Sequence, residues 1–259
     1  MSSKPGDRKN PLAKAQRADR NRKIAIQAGV AVVLVGLVAA IGIGLAMRKS
    51  DDKSTAASFA PVVTHDQGAG AVPANITSTG AIRIGNPDAK VKVQVVADLQ
   101  CPACQMFEQN NSSALEAAVK NGSAVVEYNI ISFLDRASNG NQYSTRAANA
   151  AYAVAAADPS KFQDWLASMY SQQPKENGNG MTDDQIIAIA TAAGYTEPSV
   201  AQDITSQKYV AWVGDETKGV FATGLKSTPS VYVNGKAVTD GQTLMSPNGM
   251  QSVIEAAAK

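Results

Sequence analysis

The sequence feature that most constrains this chain is Cys101-Pro102-Ala103-Cys104, a pair of cysteines in a 259-residue chain that has no other cysteine. Such a pair forms either half of a zinc site or a dithiol that interconverts with a disulfide. A structural zinc site has four ligands, usually cysteine sulfur or histidine nitrogen. The single histidine, His65, lies in a polar stretch. Zinc therefore lacks ligands, no metal is expected, and redox chemistry is the stronger interpretation.

The residues on either side of the pair predict a strand before it and a helix after it. Residues 91–97 are rich in β-branched side chains, which is typical of a buried strand. Residues 105–120 suit a helix that ends at Asn121-Gly122. Pro102 then falls in the first helical turn, where its missing N–H costs nothing. Cys101 is therefore expected at the N-terminus of a helix that follows the carboxyl end of a strand.

This placement favours a reactive thiol at Cys101. Unpaired backbone N–H groups and the helix dipole stabilise a thiolate there. The dipole contributes up to about 2 kcal/mol, or roughly one to one and a half pKa units, and larger shifts need direct hydrogen bonds to the sulfur. Cys104, one turn later, is expected to be more buried and to act as the resolving thiol. Two inert structural cysteines are the alternative, which this exposed placement disfavours.

An uncharged apolar run covers residues 24–47. As a helix it is about 36 Å long, enough to cross a hydrocarbon core of about 30 Å. Residues 1–23 carry a net charge of +6, whereas the rest of the chain carries −4. This basic excess predicts a cytoplasmic N-terminus and an extracytoplasmic remainder. Since no basic patch extends into the folded part, the excess reflects topology and membrane contact, and no nucleic-acid partner is expected.

A cleavable signal peptide is the alternative to a retained anchor. Its apolar region would be shorter, and a small-x-small site would follow closely. Here Met47-Arg48-Lys49 follows, and residues 56–60 are a distant candidate site, so a signal anchor is favoured. Disulfides persist outside the cytoplasm, which suits an exchange-active pair there. We expect a single-pass cell-membrane protein with a basic cytoplasmic tail (1–23), a transmembrane helix (24–47), a flexible linker (48–80) and an extracytoplasmic domain (81–259).

The rest of the domain predicts an α/β arrangement. A second strand is expected at residues 124–131, and a helical insert covers about 140–222. Pro198 opens a helical region that runs towards Gly224. Asn234-Gly235 fits a type I′ turn between two short strands, and Ser246-Pro247 opens a last helix. The predicted order is β-α-β, the helical insert, then β-β-α.

Two motifs in this order carry a family resemblance. Asp98-Leu99-Gln100-Cys101-Pro102-Ala103-Cys104 comes early and Ser227-Thr228-Pro229-Ser230 comes late. Together they resemble the DsbA-like branch of the thioredoxin superfamily, in particular its membrane-anchored actinobacterial members, from roughly Gly85 to the C-terminus. The resemblance implies a thioredoxin-like α/β fold with a helical insertion, after the N-terminal transmembrane helix. It also implies that Pro229 is cis beside the disulfide and that the backbone at Thr228 pairs with an extended substrate segment.

The resemblance implies a thiol–disulfide oxidoreductase, active in protein folding, that introduces disulfides into exported proteins. Cys101 and Cys104 would be catalytic, Pro102 and Ala103 would complete the motif, and no cofactor would be needed. A vitamin K epoxide reductase-like or DsbB-like membrane oxidase would reoxidise the enzyme, which is expected to be a monomer. Ala103 replaces the histidine of well-studied periplasmic members, which argues against a very strongly oxidising potential. Asp98 is a candidate proton shuttle to Cys104, although an aspartate here more often caps the turn.

Two other functions stay open. A disulfide isomerase or reductase uses the same chemistry, and a threonine such as Thr228 also precedes the cis-proline in the isomerase relatives. The lack of a dimerisation domain weakens this alternative, because residues 48–80 are too short to form one. The other alternative is a non-catalytic binding module or holdase, tethered to the membrane, whose cysteines only attach a partner.

Overall fold

The computed structural model describes residues 70–259, so the predicted tail, the predicted transmembrane helix and most of the predicted linker lie outside the described residues. None of the helices within this part is both long and apolar enough to cross a membrane. Residues 70–80, predicted as the end of the linker, pack on the domain. Thr77 is buried, Ile76 bridges to Ile82, and the Asn75 side chain donates to the Ala155 carbonyl. Packed structure therefore begins before residue 81.

The described part contains five strands and eight α-helices. The strands are β1 (Ile82–Ile84), β2 (Val91–Ala97), β3 (Ala124–Ile130), β4 (Ser230–Val233) and β5 (Lys236–Ala237). The helices are α1 (Pro102–Lys120), α2 (Tyr143–Ala157), α3 (Phe162–Ser171), α4 (Asp183–Ala192), α5 (Pro198–Thr205), α6 (Val210–Ala222), α7 (Gly241–Met245) and α8 (Gly249–Ala258). Short 3-10 helices occupy Asp135–Ala137 and Pro159–Lys161.

The strands form one mixed sheet in the order β1-β3-β2-β4-β5. β2 and β3 run parallel, as a connection through a helix allows, and β4 lies antiparallel on the other side of β2. Six of the seven residues of β2 and all seven of β3 are buried, which is expected of strands covered on both faces. The predicted strand at 91–97 and helix ending at Asn121 are confirmed. β2 is the central strand of the sheet, and Cys101 therefore follows the carboxyl end of a central strand.

Different helices cover the two faces of the sheet. Val93 and Val95 of β2 belong to the main apolar core, together with Phe107, Leu115 and Ala118 of α1. Val96 points the other way, into a smaller cluster with Val220 of α6 and Tyr232 of β4. This alternation follows from the two-residue period of a strand. α1 and α6 thus lie on opposite faces of the sheet.

The helical insertion between β3 and β4 is confirmed and runs from α2 to α6. The alanine-rich α2 is almost entirely buried, because small side chains let neighbouring helices approach closely. The predicted capping box at the start of α4 is present: Thr182 accepts from the Gln185 N–H, and Gln185 accepts from the Thr182 N–H. The Arg146 side chain joins α2 to α4 through Asp183 at 2.7 Å.

Two details of the predicted order are wrong, and one predicted helical region is present but divided. β1 is absent from that order, because a three-residue strand leaves little periodicity in the sequence. The helical region opened by Pro198 is two helices, α5 and α6, with a break at Gln207, whose φ is 53°. The last helix starts at Gly249 rather than at Ser246-Pro247. It is preceded by the five-residue α7, which Asp240 caps through the N–H groups of the first turn.

Candidate active site

Cys101 is the N-cap of α1, as predicted, with an extended backbone (φ −77°, ψ 119°), and Pro102 follows in the first turn. The Cys101 N–H donates to the Asp98 carbonyl at 3.1 Å, which closes the turn between β2 and the helix. Cys104 lies one turn further on, with 1% of its surface exposed, against 7% for Cys101. Both cysteines are free thiols. Cys104 is the more buried, as predicted, but Cys101 is less exposed than the sequence suggested.

The loop before β4 covers Cys101 and accounts for that burial. The Thr228–Pro229 peptide bond is cis, which confirms the expectation drawn from the resemblance. The Cys101 thiol donates to the Thr228 carbonyl, with 3.5 Å between sulfur and oxygen. The Thr228 hydroxyl is buried and bonds to no other group in residues 70–259. It is therefore available to donate to the Cys101 sulfur when that sulfur ionises.

The two thiols have opposite acidities. The pKa of Cys101 is lowered from 9.0 to about 6, chiefly because the Cys104 thiol donates to its sulfur. Burial opposes this shift, and the Thr228 hydroxyl and the N–H groups of Cys104 and Ala103 add to it. Burial raises the pKa of Cys104 well above its ordinary value. Near neutral pH the reduced pair therefore holds a thiolate at Cys101 and a proton on Cys104.

Asp98 is fully buried, and its carboxyl accepts hydrogen bonds from three different donors. These are the Gln100 N–H at 2.8 Å, the Ser144 hydroxyl at 2.9 Å and the Leu134 N–H at 2.8 Å. Burial raises the pKa of this carboxyl to about 6, against the effect of its three donors. These bonds join the cysteine turn to the segment after β3 and to α2. Asp98 therefore holds the turn in place by hydrogen bonds, the role that an aspartate at this position more often has. A proton-shuttle role for Asp98 stays a prediction.

The C-terminal end of α3 and the residues just after it contribute contacts that the sequence did not reveal. The Tyr170 hydroxyl donates to the Asp98 carbonyl at 3.2 Å. The Gln173 amide donates to the carbonyls of Leu99 and Cys101 at 3.0 and 3.1 Å. The insertion therefore fixes the backbone that carries Cys101. These partners lie about 70 residues away along the chain, and neither a tyrosine nor a glutamine at a helix end marks such a role in a sequence.

Within residues 70–259, no three histidine, cysteine, aspartate or glutamate side chains are grouped so that they could hold a metal ion. His65, the ligand considered from the sequence, lies outside the described residues. The arrangement at Cys101 and Cys104 provides what thiol–disulfide exchange needs: a stabilised thiolate, a protonated partner one turn away, and an adjacent backbone carbonyl at Thr228.

A thioredoxin family model matches residues 77–256 of this chain. Two solved structures from Mycobacterium tuberculosis, of reduced DsbA and of the reduced disulfide bond oxidoreductase DsbG, each share 28% sequence identity with it, at TM-scores of 0.56. Each covers 69% of this chain, and the match spans 99% of the DsbA chain and 92% of the DsbG chain.

The serine/threonine-protein kinase PknE of Mycobacterium tuberculosis is also similar, at 29% identity over 169 residues. That match covers 64% of this chain but only 29% of the kinase, so the chain spans less than a third of that relative. The family model, in contrast, covers well over half of this chain. The fold, the site and this coverage lead to one conclusion: the chain belongs to the thioredoxin family, as a DsbA-like member of that superfamily.

Proposed function

We propose that this thiol–disulfide oxidoreductase introduces disulfides into exported proteins through Cys101 and Cys104. The observation that carries the proposal is the lowered pKa of Cys101. A thiolate that is well stabilised is a good leaving group, and stabilising the reduced form of a redox pair makes its disulfide a stronger oxidant. The same feature therefore favours transfer of the disulfide to a substrate.

The reaction has two exchange steps. A substrate thiolate attacks the Cys101 sulfur, the bond between the two enzyme sulfurs breaks, and its electron pair goes to Cys104, which takes up a proton. A second substrate thiolate then attacks the substrate sulfur of the mixed disulfide. Cys101 leaves as a thiolate, and the two electrons that the substrate thiols lost are now on the reduced cysteine pair of the enzyme.

Surface features near the cysteines suit unfolded substrates. The backbone at Thr228, next to the Cys101 sulfur, would pair with an extended substrate segment, a mode of binding that reads little sequence. Met106 lies in the second turn of α1 and is 49% exposed. Phe133 is 42% exposed and precedes Leu134, whose N–H donates to the Asp98 carboxyl. Exposed apolar side chains of this size often mark interaction sites, and unfolded chains present apolar side chains to them.

The proposed location is the outer side of the cell membrane, with residues 24–47 as a retained anchor. The positive charge of residues 1–23 supports this orientation, and a disulfide donor requires an oxidising compartment. A membrane oxidase of the vitamin K epoxide reductase-like or DsbB-like kind would then accept the electrons from the reduced enzyme.

The test is a trap in cells that export the full chain. Cys104→Ala removes the enzyme thiol that can attack a mixed disulfide at Cys101 and return the substrate, so mixed disulfides with many exported cysteine-containing proteins are expected to accumulate. Cys101→Ala is the matched control and should capture none. A single captured partner, together with purified wild-type protein that cannot oxidise a reduced unfolded polypeptide, would instead support the binding module. A reduction potential near or below that of thioredoxin would support a reductase.

A further inference from the structure

Gln173 lies just after α3 and binds the cysteine turn through two hydrogen bonds from its side-chain amide. Its Nε2 atom donates to the Leu99 carbonyl at 3.0 Å and to the Cys101 carbonyl at 3.1 Å. The backbone of Gln100 and Cys101 lies between these two carbonyls and is therefore held at both ends. Since the ψ angle of Cys101 sets the direction of its carbonyl, a donor that holds this carbonyl also restricts rotation about ψ.

The backbone conformation of Cys101 decides which donors its sulfur meets. Cys101 is the N-cap of α1, and its carbonyl accepts the first helical hydrogen bond, from the Gln105 N–H at 3.0 Å. In this conformation an N-cap side chain faces the N–H groups of the second and third helical residues, here Ala103 and Cys104. The Cys104 thiol lowers the pKa of Cys101 most, and these N–H groups add to its effect. In the neutral thiol the sulfur makes no capping bond to the helix, so the N–H groups stay available to the thiolate.

Gln173 is itself held against the site by the packing of α3 on α1. Its backbone N–H donates to the carbonyl of Tyr170, in the last turn of α3, at 3.2 Å. The same carbonyl accepts from the side-chain amide of Gln105 on α1 at 2.6 Å. The Tyr170 hydroxyl adds a bond to the Asp98 carbonyl at 3.2 Å. The start of α1 and the end of α3 are therefore joined in both directions, because Gln105 donates to one and Gln173 to the other.

We propose that Gln173 is a positioning residue for thiol–disulfide exchange, whose amide fixes Cys101 in the N-cap conformation that places the sulfur at the end of the helix. The described contacts of the Gln173 amide are with backbone carbonyls and not with either sulfur, so it acts through the backbone of Cys101. The helical insertion, which supplies Gln173, thereby helps to set the stability of the thiolate. This role belongs to the exchange chemistry itself and does not depend on the direction of transfer in the proposed function.

Replacement of Gln173 by methionine removes the two hydrogen bonds without changing any charge near the sulfur. The titratable groups that act on Cys101, or respond to its charge, are Cys104 on α1, Asp98 in the turn and Tyr170 on α3. All three remain in Gln173→Met. Methionine has nearly the length and volume of glutamine but no N–H group. A change in the pKa of Cys101 in this variant therefore reports the loss of the two contacts.

The test is the pH dependence of Cys101 alkylation by iodoacetamide in the reduced full chain. Gln173→Met should raise the midpoint by about one pH unit, most of what a helix N-terminus contributes, so alkylation well below the midpoint should slow about tenfold. At pH 7, a midpoint that rises from about 6 to about 7 makes the reduced enzyme about fivefold less favoured in equilibrium with glutathione. Gln172→Met is the matched control and should change neither value, because Gln172 is exposed and its amide donates to the Ser168 carbonyl at 3.4 Å.

A merely structural role for Gln173 predicts a different result, namely a lower urea midpoint with the alkylation midpoint of wild type. That result in folded Gln173→Met overturns the proposal. If Gln173→Met does not fold, Gln173→Asn decides, because its amide is one methylene shorter and cannot reach both carbonyls. Its alkylation midpoint should also rise, and an unchanged midpoint overturns the proposal. Since iodoacetamide and glutathione replace the exported substrate, these outcomes are independent of the trapping experiment.

Discussion

The lowered pKa of Cys101 predicts that the reduced and oxidised proteins differ in stability in a pH-dependent way. For a thiol whose pKa falls on folding, stabilisation is complete above the unfolded pKa and disappears as pH falls through the folded one. Here those values are 9.0 and about 6, so the window is pH 6 to 9. The oxidised protein has no Cys101 proton to lose, and its unfolding free energy lacks this contribution.

The magnitude follows from linkage, at 1.36 kcal/mol for each pKa unit. A shift of about three units gives about 1.4 kcal/mol at pH 7 and about 2.7 kcal/mol at pH 8. Solvent screens charge interactions near the surface, so we expect roughly half of these values. At pH 7 the screened value, about 0.7 kcal/mol, corresponds to about 15 mV of reduction potential in the oxidising direction.

The assay is urea unfolding of the full chain at pH 6, 7 and 8, with and without excess reductant. Carboxyls away from the cysteine pair titrate alike in both forms, so they cancel in the difference between the two unfolding free energies. That difference should move in favour of the reduced form by about 1 kcal/mol between pH 6 and pH 8. Cys101→Ser, in which no thiolate can form at this position, should show no such movement. A wild-type difference that is constant with pH would refute the reasoning.

Four further predictions concern single substitutions. Thr228→Val removes a hydroxyl that has no other partner and should raise the pKa of Cys101, measured by the pH dependence of its alkylation, with little change in the urea midpoint. Asp98→Asn replaces an acceptor of three donors and should lower the unfolding free energy by about 1–3 kcal/mol, measured by urea unfolding. Gly249→Ala should destabilise by about 1–3 kcal/mol, because the new Cβ would lie 1.9 Å from the Thr243 carbonyl oxygen. Gly214→Ala in α6, where a Cβ meets nothing within 4 Å, should raise the thermal midpoint slightly.

Local signals account for the parts of the fold that the sequence predicted. Pro102 and Asn121-Gly122 mark the ends of α1 by rules that act within a few residues, and Asn234-Gly235 forms the predicted turn, with φ values of 48° and 79°. β1 depends instead on its pairing with β3, which starts 42 residues later. The break between α5 and α6 rests on one left-handed residue, Gln207, and glutamine is not a residue type that predicts such a break.

The candidate site also combines features that the sequence predicted with features that it did not. The C-x-x-C pair and its helix N-terminus are contiguous in sequence, so the position of Cys101 could be predicted. The cis bond before Pro229 was expected only from a family resemblance, since proline by itself does not indicate it. Tyr170 and Gln173 reach the cysteine turn only because α3 packs against α1.

The central claim, that Cys101 is a stabilised thiolate, is tested most directly by its rate of alkylation with iodoacetamide as a function of pH. The reduced full chain should be used, with the alkylated residue identified by peptide mass spectrometry, because Cys104 supplies the largest contribution to the shift. The rate at Cys101 should follow a single ionisation with a midpoint near pH 6, while Cys104 stays unmodified. A midpoint near 9.0, the ordinary value for a cysteine, would contradict the account.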